Sequence, residues 1–110
     1  MSKTSRSASA ISDKSTQAAR LPHQPTLRID KFLWFVRLAP SRSFAQNLSE
    51  RGVIRLNGRR VERAHSPVRV GDLITLPFGE NVRVVRVLVL PDRRGVALIA
   101  EACYDVLELG

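Results

Sequence analysis

The sequence of 110 residues has a single cysteine, only three lysines and few aromatic residues. Because Cys103 cannot form an internal disulfide, we expect a fold that rests on its apolar core alone, as in a reducing cytosol. Long apolar stretches are also missing. Uncharged apolar runs such as 87–91 and 96–100 are far shorter than the roughly 18 residues of a membrane-spanning helix. These absences argue against a secreted or membrane-spanning protein and predict a cytoplasmic one.

Several kinds of catalytic site are missing as well. None of the lysines follows a glycine, so the phosphate-binding loop of nucleotide hydrolases cannot form. The histidines, His23 and His65, provide no recognisable zinc ligand set and no Cys-His pair with the one cysteine. Most acidic residues are predicted to lie singly on surfaces or at helix ends, where no carboxylate pair could perform acid–base chemistry. We therefore expect no enzymatic activity, no cofactor and no metal.

Positive charge, in contrast, is abundant. The 18 lysines and arginines outnumber the 10 acidic residues, which gives a net charge of +8 at pH 7. Residues 27–76 hold ten basic and four acidic residues, whereas residues 77–110 hold four and five. This concentration predicts a basic face that binds a polyanion. RNA is favoured over a membrane because no basic amphipathic helix with a bulky apolar stripe is present, while an acidic protein and DNA stay open as secondary partners.

The domain organisation follows from composition. Residues 1–26 carry four basic residues and one acidic residue without apolar periodicity, which predicts a disordered basic tail. An organelle transit peptide is the alternative interpretation of this segment. We place the RNA-binding domain at residues 27–90 and a C-terminal extension at residues 91–110, since the length allows one domain.

Two short helices are predicted at the start of the domain. The apolar stripe of the first helix has the spacing of one helical face and comprises Ile29, Phe32, Leu33 and Val36. Asp30 is placed as a cap or a first-turn acid, and Pro40 closes this helix. Ser41 can cap a second helix that ends at Gly52.

A small antiparallel sheet is predicted after Gly52. Ile54 and Leu56 alternate with outward residues, and Asn57-Gly58 is a strong signal for a two-residue hairpin. Further strands are predicted at 73–76 and 81–90. Helical spacing of apolar residues then predicts a helix over 97–109 with Ile99, Cys103, Val106 and Leu107 inward, although 96–100 could pair as a strand instead. The predicted fold class is α+β: two helices on a small twisted antiparallel sheet, with a C-terminal helical extension.

Basic residues cluster on two of these elements. Arg42 lies in the first turn of the second helix, where a cation opposes the helix dipole. A phosphate bound by Arg42, Ser41 and Ser43 would explain this placement, and a solvated arginine is the alternative. The hairpin adds outward arginines next to Arg51, which predicts one continuous basic surface. Its members are Arg51, Arg55, Arg59 and Arg60 around the turn at Asn57 and Gly58.

Trp34 lies off the apolar stripe of the first helix. Its indole could stack on a base or pack beneath residues 97–109. We favour packing, because an apolar face on so short an extension needs a partner.

Several motifs in order resemble the RNA-binding domain named after ribosomal small-subunit protein four. They are Leu27-Arg28-Ile29-Asp30-Lys31-Phe32-Leu33, Ser41-Arg42-Ser43, Gly52-Val53-Ile54-Arg55-Leu56-Asn57-Gly58 and Val70-Gly71-Asp72. The continuation through Asp92-Arg93-Arg94-Gly95 and Ala100-Glu101-Ala102-Cys103-Tyr104 is similar to the stand-alone branch that contains ribosome-associated heat shock protein fifteen and its ribosome-quality-control relatives.

The resemblance implies an αL-type motif whose helices and hairpin grip structured RNA. It implies partners as well: ribosomal RNA of the large ribosomal subunit and the transfer RNA of a stalled nascent chain, with a role in rescue or recycling. Carried over by motif position, the RNA-facing set is Arg28, Lys31, Arg37, Ser41, Arg42, Asn57 and Arg59, while Asp30 orients neighbouring basic side chains. The alternatives are ribosome assembly without a rescue role and a remnant of a pseudouridine synthase without its catalytic module.

Overall fold

The structure is a computed structural model that describes residues 24–107. Nearly all of the predicted basic tail at 1–26 therefore lies outside the described residues. Within them the chain forms three helices and seven strands in the following order: β1 (Leu27–Arg28), α1 (Ile29–Phe35), α2 (Arg42–Glu50), β2 (Arg55–Leu56), β3 (Arg59–Arg60), β4 (Pro67–Val68), β5 (Leu73–Phe78), β6 (Asn81–Val87), α3 (Ala97–Glu101) and β7 (Tyr104–Leu107).

The strands form an antiparallel sheet beside which the helices pack. Five strands lie in the order β3-β2-β5-β6-β7, and β1 pairs separately with β4. The predicted α+β class and the small antiparallel sheet are confirmed. One core joins the sheet to α1 and α2, and its fully buried large side chains include Phe32, Ile54, Ile74 and Val85. Burial of each such side chain contributes about 1.5–3 kcal/mol.

The first helix carries the predicted apolar stripe but ends earlier than predicted. Ile29, Phe32 and Leu33 are fully buried, and Val36 is nearly so. The helix ends at Phe35 rather than near Pro40, because Arg37 adopts a left-handed conformation with φ of 65°. The N–H of Arg37 donates to Trp34 O and the N–H of Leu38 donates to Leu33 O, at 3.1 and 2.9 Å. This is a Schellman motif with arginine at the position that glycine usually occupies.

The second helix and the hairpin follow the sequence prediction. Ser41 caps α2 by accepting a hydrogen bond from the N–H of Phe44 at 3.1 Å, and Gly52 follows the helix with φ of 76°. Asn57 and Gly58 have φ of 54° and 84°, the conformation of a type I′ turn. The hairpin pairs Arg55 with Arg60 and Leu56 with Arg59.

The predicted helix over 97–109 is wrong beyond Glu101. Residues 104–107 instead form β7, which pairs antiparallel with β6 from Val84 to Val87. The strand also lies downstream of 96–100, the alternative position. The apolar spacing was misleading because Ile99 and Val106 are 62% and 43% exposed. A strand satisfies the backbone hydrogen bonds along the free edge of β6, which a helix at this place would leave open.

Candidate nucleic-acid interface

A buried carboxylate lies at the start of the two helices. The Asp30 side chain has no exposed surface, and the loop before β4 fixes its backbone, since the Asp30 N–H donates to Ala64 O at 3.2 Å. Arg28 donates to both carboxylate oxygens, from Nε and Nη2, at 3.0 Å each. Gln46 Nε2 and the Lys31 N–H complete the coordination at 3.3 and 2.8 Å. Asp30 is therefore the centre of a cluster that holds basic side chains in place.

Arg42 belongs to the same cluster. Its Nε lies 3.5 Å from Asp30 Oδ2, although it is the first residue of α2. From the sequence, a bound phosphate or a solvated side chain could account for this cation against the helix dipole. The structure supplies a different reason, because the Asp30 charge compensates that of Arg42. Both guanidinium groups still reach solvent, since the Arg28 and Arg42 side chains are 43% and 37% exposed.

The ionisation of Asp30 depends on this cluster. Burial alone would raise the pKa of its carboxyl group. The side-chain hydrogen bonds from Arg28 and Gln46, the charge of Arg28 and the backbone N–H of Lys31 outweigh burial and hold the pKa below its usual value. Asp30 is therefore ionised at neutral pH, and the cluster keeps a net positive charge.

The two serines lie at the start of α2. The Ser41 and Ser43 hydroxyl oxygens are 3.2 Å apart, and Ser41 is occupied as the helix cap. Ser43 is exposed. The structure thus brings the predicted anion-binding residues Ser41, Arg42 and Ser43 to one end of α2, next to Arg28.

The hairpin carries a second group of arginines. Arg55 and Arg60 are directly opposite each other and share the outer face of the sheet, with Thr75 next to Arg55 on β5. Like charges in such a pair destabilise a sheet by a few tenths of a kcal/mol or more. The Arg60 guanidinium lies over Gly52, where a β-carbon would overlap it. Arg55 and Arg60 are both exposed, and Arg60 Nε also lies 4.0 Å from Glu62 Oε2, so the hairpin presents basic side chains on this face of the sheet.

Other predicted site residues have structural roles in the fold. Asn57 donates from Nδ2 to Asp72 Oδ1 at 3.0 Å and accepts the Leu73 N–H at 2.9 Å, so its side chain ties the turn to β5. Gly58 supplies the positive φ of the turn. Arg37 donates from Nε to Gly95 O at 2.7 Å. Lys31 is half-buried on α1, and Arg51 and Arg59 are exposed at the end of α2 and on β3.

Trp34 contacts the chain after β6, but not through the predicted apolar face. Arg94 donates from Nη1 to Trp34 O at 2.6 Å, and its guanidinium carbon lies 5.9 Å from the ring centroid. The turn at 94–95 therefore covers the end of α1, while α3 directs Ala100 into the core. Trp34 is half-buried, which agrees with packing rather than with a fully exposed stacking platform.

Two residues near the clusters were missed by sequence reasoning. Gln46 contacts Asp30, and its position four residues after Arg42 puts both on one face of α2, a spacing that could have revealed it. Thr75 faces Arg55 across β2 and β5, but strand register cannot be read from one sequence. Across residues 24–107, no group of three or more His, Cys, Asp or Glu side chains could hold a metal ion. None of the helices in that range is long and apolar enough to cross a membrane.

Comparison with known proteins agrees with this geometry. The S4 domain matches residues 27–74, which span both arginine clusters. The heat shock protein 15 homolog of Aeromonas salmonicida is 35% identical over 82 residues, which are 74% of this chain and 61% of that protein. The RQC P-site tRNA stabilizing factor of Bacillus subtilis is 38% identical over 66 residues, which are 60% of this chain and 76% of that protein.

A solved structure is similar throughout the fold. It is described as a trimeric structure of Vibrio cholerae heat shock protein 15 and superposes with a TM-score of 0.71 at 31% identity, covering 76% of this chain and 83% of that one. The chain spans about three fifths of the length of the heat shock protein 15 relatives it matches in sequence.

Proposed function

Because the chain belongs to the S4-domain family that includes heat shock protein 15 and the RQC P-site tRNA stabilizing factor, we propose that it is a non-enzymatic protein that binds structured RNA on the ribosome. The observation that carries this proposal is the Asp30 cluster. A fully buried carboxylate holds two arginines whose guanidinium groups remain open to solvent at the start of α2. Such an arrangement prepares donors for phosphate before any RNA arrives.

The chemistry of the cluster follows from the donors that Asp30 leaves free. A guanidinium has five N–H donors, and Arg28 uses one on Nε and one on Nη2 for Asp30. Both donors on Nη1 and one on Nη2 remain for a phosphate, which can accept two parallel hydrogen bonds from one guanidinium. Arg42 Nε lies 3.5 Å from Asp30 Oδ2 and adds a second positive charge. Asp30 thus fixes the direction of Arg28 and reduces the entropy lost on binding.

The hairpin provides the second contact. Exposed Arg55, Arg59 and Arg60 follow α2 within the S4-matched segment, and Arg55 and Arg60 leave the hairpin from directly opposite positions. Arginine also stacks on exposed bases, which suits irregular RNA. We propose that the RNA-binding set is the one predicted from the sequence, with Asn57, Gly58 and Arg37 contributing mainly by shaping the surface.

We further propose that the RNA is ribosomal RNA of the large subunit, and that the protein acts in the cytoplasm on subunits that carry a stalled nascent chain and its transfer RNA. The support is the name of the Bacillus subtilis relative, which refers to the P-site transfer RNA, together with similarity to heat shock protein 15. The proposed contacts lie within residues 27–74, the segment that the S4 domain matches.

Sedimentation of a lysate that contains the tagged protein tests this proposal. We expect the protein in the fractions of free large subunits, and enrichment when nascent chains are stalled. The variant with Arg28→Ala and Arg42→Ala should leave those fractions, whereas Arg93→Ala, an exposed arginine outside both clusters, should not. Wild-type protein that stays at the top of the gradient, or moves only with small subunits, would contradict the proposal.

A further inference from the structure

An apolar groove runs along one side of α2. Its volume is about 420 Å³, and apart from Arg51 and Gly79 it is lined entirely by apolar side chains. Phe44, Val53 and Phe78 line it and are 48%, 40% and 45% exposed. The guanidinium of Arg83 lies 3.6 Å from the Phe78 ring centroid and borders this region. Apolar surface of this kind, rimmed by charge, is typical of an interaction site.

The groove is distinct from the Asp30 cluster. At about 100° per residue, Phe44 lies some 160° around α2 from Arg42, and Arg51 lies on the side of Phe44. Gln46, which contacts Asp30, lies on the side of Arg42. The Asp30 cluster and the groove therefore lie on different flanks of α2. Arg51, a member of the proposed RNA-binding set, also lines the groove.

A second unpartnered apolar surface lies on α3. Leu98 is 80% exposed, and Val96 and Ile99 are 61% and 62% exposed, although all three are large apolar residues. Only Ala100 of this short helix is buried. Glu101 is exposed three residues after Leu98, so it lies on the same side of the helix. The α3 surface is convex and acidic at its edge, and the groove is concave and basic at its rim.

From this complementarity we propose that the protein associates head to tail, with the Leu98 side of α3 from one copy seated in the groove of the next. Leu98 enters between Phe44 and Phe78, and Glu101 lies near Arg51. The contact is between copies, since an 80% exposed Leu98 cannot occupy the groove of its own chain. The interface is heterologous, because each copy contributes a different surface to it. Each open complex therefore has one free groove and one free α3, through which it can add another copy or close into a ring.

The small size of the contact sets its strength. One groove and three apolar side chains correspond to the low end of specific interfaces, where association is weak. We expect monomers at nanomolar concentration and a mass that rises with concentration between micromolar and submillimolar levels, because interfaces of this size are weak. Apolar burial dominates, so added salt should not abolish the association.

Analytical ultracentrifugation of the full chain tests the proposal with two variants, Leu98→Gln and Phe44→Gln. Each removes one half of the contact at an exposed position, so each variant alone is expected to remain monomeric at 500 µM. An equimolar mixture should form a dimer and nothing larger, because one variant retains an intact groove and the other an intact α3. Val70→Gln, at a 54% exposed valine outside both surfaces, is the matched control and should associate like the wild type.

Charge reversal gives an independent readout. Arg51→Glu should weaken association several-fold, and Glu101→Arg in the same chain should restore it. Circular dichroism establishes that each variant is folded, and Val53→Gln replaces Phe44→Gln if the latter is not.

Three results would overturn the proposal. The first is a wild type that is monomeric throughout the concentration range. The second is an equimolar mixture that stays monomeric while the wild type associates, which would mean a self-complementary contact elsewhere. In the third, Phe44→Gln weakens RNA binding but leaves the mass unchanged, which would assign the groove to a nucleobase.

Discussion

Replacing Asp30 by asparagine tests whether the buried carboxylate aims the arginines of the proposed RNA-binding surface. Asparagine has nearly the same shape, but it removes the charge and replaces one acceptor by a donor that opposes the guanidinium groups. Two hydrogen bonds from Arg28, both at 3.0 Å, lose their charged acceptor. Each such bond contributes about 1.5–3 kcal/mol, and removal of one partner from a fully buried pair costs about 3–5 kcal/mol.

The expected loss of stability is smaller than the cost of breaking a fully buried ion pair. The Arg28 and Arg42 side chains are 43% and 37% exposed, so water replaces part of what they lose. We therefore expect Asp30→Asn to lower the free energy of unfolding by about 2 kcal/mol at pH 7. Urea denaturation measures this difference, and Asp92→Asn, which neutralises an exposed carboxylate, should change it by less than about 0.5 kcal/mol.

The lowered pKa of Asp30 determines how the free energy of unfolding changes with pH. Because the pKa of Asp30 is lowered in the folded protein, its ionised form stabilises the fold at every pH above the ordinary carboxyl value of about 3.9. That stabilisation is lost as the pH falls through the folded-state pKa. The difference between wild type and Asp30→Asn should therefore be constant from pH 5 to 7 and shrink below about pH 4.

RNA affinity distinguishes the positioning of Arg28 by Asp30 from the net charge of the site. Asp30→Asn makes the site more positive by one charge, so affinity would rise if the arginines acted only as point charges. We expect affinity to fall about tenfold at constant salt because Arg28 loses its fixed direction, whereas Asp92→Asn should leave it unchanged or slightly stronger. Anisotropy with a structured RNA at several salt concentrations measures both. Unchanged or tighter binding by Asp30→Asn, with the protein shown to be folded, would refute the positioning role.

Three other changes have outcomes fixed by the structure. Arg37→Gly should be more stable than Arg37→Ala by about 1 kcal/mol in thermal melts, because both lose the bond to Gly95 but only glycine is unstrained at φ of 65°; equal stability would mean that the Schellman geometry is absent in solution. Asn57→Ala should lower the free energy of unfolding by about 2 kcal/mol in urea denaturation, because the bonds to Asp72 and Leu73 are lost. The RNA affinity of the folded fraction should not change, and a selective loss of affinity would make Asn57 an RNA contact. Burial raises the pKa of the Cys103 thiol, so alkylation by iodoacetamide should reach its half-maximal rate at a higher pH in the folded protein than in the urea-unfolded chain. Identical pH profiles for the two states would contradict the burial of Cys103.

Local signals in the sequence predicted those elements whose cause is local. The apolar stripe of α1, the Ser41 cap and the Asn57-Gly58 turn each depend on residues within one or two turns of chain, and all were confirmed. The strand at 104–107 was not predicted, because its stability comes from pairing with β6, and residue spacing does not record which edge is free. Tertiary pairing overrode a helical pattern there.

In the candidate site, too, local features were predicted from the sequence and tertiary contacts were not. Charge density in residues 27–76 indicated which segment carries the basic face, and the hairpin prediction put Arg55 and Arg60 near each other. The partner of Arg42 could not be predicted, since Asp30 lies 12 residues away and its burial depends on how α1 packs on α2 and on the 64–66 loop. The dipole argument identified Arg42 as a cation in an unfavourable position, and it offered a bound phosphate or solvation as the explanation instead of Asp30.

Among the described strands β7 is synthesised last, so the edge of β6 is covered only after residues 104–107 have been made. Until Tyr104–Leu107 has been synthesised, β6 has a hydrogen-bonded neighbour on only one side, and a row of backbone donors and acceptors from Val84 to Val87 is open to any other extended chain. A product cut short before this strand would expose the β-branched edge of β6. A chain without Tyr104–Leu107 would thus be prone to aggregate, because β7 is the strand that covers this edge of β6.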